Sequence, residues 1–145
     1  MKRIEVKTFS WFGSGMVTLT VNDEGFGVLD DNALKAFTHG QCHSLALAIN
    51  KLTGWPIKGA SYNKEADPAD SPAHVLIYSP KLRAYVDIRG VRKTVGKKNY
   101  SEGLKIVNRN IAPEGVSRLR GYLQPNLEAA MPFAKSLLKQ IGVEV

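Results

Sequence analysis

The stretch from Cys42 to Leu52 constrains this chain most. Its apolar side chains fall at 42, 45, 46, 48, 49 and 52, the spacing of one helical face, and Gly54 with Pro56 supplies a stop. A helix there must bury that face against other elements, and it carries the only cysteine of the chain on its first turn. Gly40, just ahead, breaks the chain and lets another segment approach closely. A single cysteine excludes an internal disulfide framework and any multi-cysteine zinc or iron–sulfur site. It fits a reducing compartment, so the expected location is the cytoplasm.

The elements around this helix are shorter. Residues 2–9 and 16–21 read as strands of a hairpin, with glycines at 13 and 15 in the link, and Asp30 opens a short helix through Phe37. Residues 63–72 are polar and proline-broken, hence a surface loop. Strands at 74–78 and 84–88 flank a turn at 79–81. Further on, 104–107 is a weak strand candidate, 113–120 a short helix, and 126–140 a final helix in which Pro132 predicts a kink or a late start. With 145 residues, 43% of them hydrophobic, the chain suffices for one α+β domain over 1–145 with a real core. The N-terminus has no apolar core behind its charges, and no run approaches the ~18 apolar residues of a membrane span, so neither export nor a membrane partner is expected.

Chemistry gathers on three residues. A thiol is a good nucleophile only as thiolate, and the positive end of a helix dipole together with an imidazolium favours that form, so the first helical turn suits Cys42. His74 opens one strand of the 74–88 hairpin and Asp87 closes the other, which makes them near cross-strand neighbours. An acid there holds the imidazole in the useful tautomer and stabilises its charged form. Taken singly, a cysteine among Leu45, Ala46 and Ile49 is more often inert core, and a strand histidine a bystander. Order, helix placement and hairpin register together favour a triad. A metal site from His39, Cys42, His43 and His74 is the weaker alternative, because 42 and 43 project in different directions and no fourth strong ligand is evident. No metal or cofactor is expected, and His43 is read as lying beside the site without taking part.

The segments Thr38-His39-Gly40-Gln41-Cys42-His43-Ser44-Leu45-Ala46 and His74-Val75-Leu76-Ile77-Tyr78 with Tyr85-Val86-Asp87-Ile88-Arg89-Gly90 resemble the papain-like superfamily in its transglutaminase-like and arylamine N-acetyltransferase-like branch. The resemblance covers residues 38–90. It implies an α+β fold with the nucleophile helix packed on an antiparallel sheet, followed here by a C-terminal helix. It also implies Cys42 as nucleophile, His74 as general base and acid, and Asp87 as the orienting group. Papain-type proteases place an oxyanion-hole glutamine several residues before the cysteine, whereas here the nearest is the adjacent Gln41. The hole would use the Cys42 backbone N–H with a second donor, Gln41 or Trp11. The acetyltransferases are much longer and approach the cysteine through an arginine absent here, which argues against an acetyl-CoA enzyme.

The net charge of +7 is local. Nine Lys/Arg against two acids lie between Arg89 and Arg120, and the other 113 residues are neutral. A solvated charged face is one reading; the other is a surface for nucleic acid or an acidic protein. Arg89 and Arg92 follow the triad aspartate and would select an anionic substrate at the cleft. Trp55 and Tyr62 would wall that cleft, although an aromatic after a helix end is more often a packing plug. The leading expectation is a cysteine-dependent amide-bond enzyme: a peptidase or isopeptidase, a glutamine deamidase, or a transglutaminase-like acyl transferase, acting on a protein or peptide through a thioester. Its compact size would suit a phage-encoded or effector-type modifier of a host protein. The rival is a noncatalytic binding protein that uses its basic 89–120 surface.

Overall fold

The structure, a computed structural model, describes residues 1–10, 13–61, 72–92 and 105–144. The chain folds as α+β. β1 (Lys2–Ser10) and β2 (Gly13–Val21) form an antiparallel hairpin in full register from Lys2 opposite Val21 to Ser10 opposite Gly13. Both glycines expected in the link therefore belong to β2. α1 (Asp31–Thr38) starts where Asp30 caps the Ala33 N–H at 2.9 Å, and α2 (Cys42–Thr53) ends at Gly54, which takes the left-handed conformation (φ 77°) that glycine adopts most cheaply.

The main sheet is antiparallel and five-stranded, built from β3 (Ile57–Ser61), β4 (His74–Ser79), β5 (Ala84–Asp87), β6 (Gly90–Arg92) and β7 (Lys105–Ile111), in the order β6-β5-β4-β3-β7. A 3-10 helix (Pro113–Arg118) and α3 (Leu127–Gln140) complete the chain. α3 carries Pro132 inside it, and the Pro132 carbonyl accepts from Gly27 N at 3.0 Å, tying the helix to the segment after β2.

α2 is the centre of the molecule. Every residue from Cys42 to Ile49 is buried, because the helix has β4 on one side and α3 on another. One continuous apolar cluster takes in Leu19, Phe37, Leu45, Ile49, Val75 and Phe133 from both sheets and all three α-helices. The polar surfaces of the amphipathic α1 and α3 face outward, whereas α2 has almost none to spare. Among the described residues, no helix is long and apolar enough to cross a membrane.

Candidate active site

The local geometry that presents Cys42 begins with Gly40. Its φ is +111°, and a Cβ there would stand 2.7 Å from the Phe9 backbone nitrogen. The Phe9 N–H donates to the His39 carbonyl at 2.9 Å, so β1 lies directly against the turn that enters α2. Only glycine combines that torsion with that contact. Ser44 then ties two helix starts together: its hydroxyl donates to Gln41 Oε1 (2.7 Å) and accepts from the Asn126 N–H (3.0 Å), while Asn126 caps α3.

His74 and Asp87 come together across β4 and β5. Ile77 stands opposite Val86, so counting along the strands sets Asp87 opposite Leu76, one same-face step from His74. That diagonal separation is within reach of long side chains. His74 Nε2 and Asp87 Oδ2 are 3.1 Å apart, and both side chains are buried. The imidazole N–H donates to the carboxylate, which leaves Nδ1 as the nitrogen available to Cys42. Asp87 is also held by the Arg89 backbone N–H at 2.8 Å and by the guanidiniums of Arg89 (3.6 Å) and Arg92 (3.7 Å). Burial works against its charge, but the hydrogen bond and charge of His74, with Arg89, hold the carboxyl below its usual range.

The thiol and imidazole bias one another. Burial opposes a thiolate at Cys42, yet the adjacent His74 charge, with the neighbouring His43 ring, pulls the thiol down to about 5. Burial likewise opposes the His74 cation, and the Cys42 thiolate and the Asp87 hydrogen bond outweigh it, raising His74 to about 9. The two shifts run in opposite directions, and each favours the charged form of the other group. Behind it, the space bounded by Phe37, Leu45, Ile49, Val75 and Val86 has no room for a water molecule, and a dry backing strengthens each of these interactions.

Two further side chains meet at the sulfur. His43, fully buried, donates from Nε2 to the Leu123 carbonyl at 2.7 Å. Its Nδ1 is the ring nitrogen left to face Cys42, near enough to bias the thiol but without the alignment of a hydrogen bond. Tyr122 packs edge-on to His43 at 5.0 Å between centroids, and its hydroxyl donates to the Pro72 carbonyl at 2.5 Å. Burial and the neighbouring Cys42 thiolate both oppose ionisation of that phenol and push it upward. His43 thus lies beside the site, held by Leu123 and Tyr122. Helical spacing sends residues 42 and 43 in different directions, but α2 is enclosed so completely that both sides face protein. Tyr122 carries no local signal, since only the tertiary fold brings a residue of that loop to the head of α2.

The other expected positions divide. Gln41 has both ends of its amide occupied, Nε2 donating to the Lys7 carbonyl (2.8 Å) and Oε1 accepting from Ser44; it braces β1 against α2, which is a correction to its expected role as an oxyanion donor. Trp55 is buried in the apolar cluster past the far end of α2, a helix ~18 Å long at 1.5 Å per residue, so it is a packing plug and not a cleft wall. Trp11 and Tyr62 lie outside the described residues. Arg89 and Arg92 sit against the Asp87 carboxylate. The basic segment 89–120 does not stay on one surface in its described parts, because β6 and β7 are the two opposite edges of the sheet, roughly 19 Å apart at ~4.8 Å per strand. Among the described residues, no three His, Cys, Asp or Glu side chains are grouped to hold a metal ion.

No protein-family model matches this chain, and comparison with curated proteins and with solved structures gave no match either.

Proposed function

We propose that this protein is a cysteine-dependent amide-bond enzyme with Cys42 as nucleophile, His74 as acid and base, and Asp87 as the group that orients and charges the imidazole, on a papain-like arrangement of helix and sheet. The observation that carries the reading is the buried His74–Asp87 contact at 3.1 Å beside a thiol drawn down to about 5. Burying three ionisable groups together is costly unless they work on one another.

The chemistry follows from the arrangement. The Cys42 thiolate attacks an amide carbonyl carbon. The oxygen takes up the displaced electron pair as an oxyanion, for which the Cys42 backbone N–H, at the start of α2 where helical amides lack intrahelical acceptors, is the proposed donor. His74 passes its proton to the nitrogen as the C–N bond breaks, leaving an acyl thioester and a free amine or ammonia. Water, activated by the now neutral His74, or an incoming amine then releases the acyl group and restores the thiol–imidazole pair. Peptide or isopeptide cleavage, glutamine deamidation and transamidation share the first half and differ in what enters for the second.

The test is intact-mass analysis of protein incubated with a panel of glutamine peptides, isopeptides and simple peptide amides, with and without an added primary amine. The expected result is a Cys42 adduct equal to the substrate minus its amine, discharged by hydroxylamine and absent in Cys42→Ala. Turnover that persists in Cys42→Ala, or a panel that never loads the wild-type thiol, would contradict it.

A further inference from the structure

We propose that Arg89 and Arg92 are positioning residues that act through Asp87: their charges set how tightly the carboxylate holds the His74 proton, and so how readily that proton reaches the leaving amine. The inference deepens the reading of Cys42, His74 and Asp87 as a triad and rests on it. It is carried by the way β5 turns into β6. Asp87 stands opposite Gly90, with only Ile88 and Arg89 between them. Arg89 therefore lies in the turn itself, and Arg92 lies two residues past Gly90 on the same face of β6. Both side chains return to the carboxylate. The Arg89 guanidinium is 3.6 Å from Oδ2, the oxygen that also meets His74, and Arg92 Nε is 3.7 Å from Oδ1.

Those two separations are longer than hydrogen bonds, so the guanidiniums act on Asp87 by charge. The aim of the carboxylate comes from shorter contacts: the Arg89 backbone N–H holds Oδ1 at 2.8 Å, and His74 Nε2 meets Oδ2 at 3.1 Å. The Arg89 and Arg92 side chains are 27% and 13% exposed, so solvent screens their charges only in part. Each guanidinium repels the imidazolium and offsets part of the attraction that Asp87 exerts on it, which makes the His74 proton easier to release. The charged and titratable groups about His74 and Asp87 include Cys42 and His43 on α2 and Tyr122 on the loop before α3, besides the two arginines. Tyr85 stands opposite Arg92, and Lys58 of β3 lies in the same row with Leu76 between it and Asp87. The proton balance is that of the first half-reaction: one N–H bond breaks at His74 and one forms at the amine nitrogen as the C–N bond breaks. The expected role of Arg89 and Arg92 as selectors of an anionic substrate gives way to one exerted inside the site.

The experiment reads the sign of one shift. The His74 midpoint is followed by NMR of the imidazole in a Cys42→Ala background, where no thiolate contributes, for the parent and for Arg92→Gln, Arg92→Lys and Arg89→Gln. If the guanidiniums supply charge, Arg92→Gln raises the midpoint by about 0.5–1 unit, which is about three- to tenfold in proton affinity. Arg92→Lys returns it toward the parent value. Arg89→Gln, which keeps the backbone N–H on Oδ1, shifts it in the same direction as Arg92→Gln. With the thiol intact, the alkaline limb of turnover moves up with it. A merely structural anchor has the opposite sign, because a released carboxylate would hold the imidazolium less well and the midpoint would fall. A fall, or no change, in either folded Gln variant overturns the proposal, and Arg89→Gln decides it alone if Arg92→Gln does not fold. The titration uses no substrate, so its failure is distinct from failure of the triad reading, which shows as a Cys42 that no amide substrate loads.

Discussion

The two ends of α2 are built to opposite rules. At its C-terminus, Gly54 ends the helix, Asn50 Nδ2 donates to the Trp55 carbonyl at 2.8 Å, and Trp55 fills the apolar cluster. At its N-terminus, five of the seven buried polar side chains among the described residues collect: Gln41, His43, Ser44, His74 and Asp87. The first end is what a small domain needs for stability. The second is what such a domain avoids, since buried ionisable groups are tolerated only when paired. Two environments on one helix separate packing from chemistry, and substitutions at each end should have effects that do not cross.

The largest expected effect is at the chemical end. His74→Ala removes the main charge that draws the thiol down, and the Cys42 midpoint should rise by about two units or more, read by thiolate absorbance. Of comparable size but opposite kind, Trp55→Ala should cost about 3–5 kcal/mol in denaturant unfolding while the thiol titration of the remaining folded protein stays put. A shifted thiol in Trp55→Ala would break the separation. Asp87→Asn keeps a hydrogen-bond acceptor for His74 and deletes the charge. The His74 midpoint, about 9 in the wild type, should fall by about one unit, seen by NMR of the imidazole.

Gly40→Ala tests the turn that enters α2. Strain at φ +111° and the 2.7 Å approach to Phe9 N should cost about 1–3 kcal/mol, and here both readouts should move, since the same turn presents Cys42. The pH profile of turnover is the finest discriminator. Turnover should rise as pH climbs through about 5, where the thiol loses its proton, and fall as pH climbs through about 9, where His74 loses the proton the leaving amine needs. Alkylation needs only the thiolate, so it should follow the first limb and not the second.

The same contrast explains what could be read from the sequence. The helix 42–52 and its glycine stop were legible because an apolar period and a cap are local signals, and α2 spans Cys42–Thr53 as expected to within one residue. The His74–Asp87 approach was legible because a hairpin converts sequence separation into register, although the observed register makes the pair diagonal and not opposite. β3 was not expected at all. Ile57-Lys58-Gly59-Ala60-Ser61 alternates poorly and contains a glycine, and it becomes a strand because β4 and β7 pair with it on both sides. β6 escaped for the same reason, being three residues held by β5. The expected strand at 104–107 is seen from Lys105 and runs further, to Ile111, and Leu104 lies outside the described residues. His43 and Tyr122 could not be recognised locally, since their nearness to the sulfur depends on how the loop before α3 crosses the head of α2.

The central claim is that Cys42 and His74 form a buried ion pair and not a neutral thiol beside a neutral ring. The measurement that tests it most directly is the ultraviolet thiolate titration of the wild type against Cys42→Ala, which reports one sulfur because the chain has one cysteine. The expected midpoint is near 5 and rises sharply in His74→Ala. A midpoint near the free thiol value of about 8.5, indifferent to His74, would contradict it.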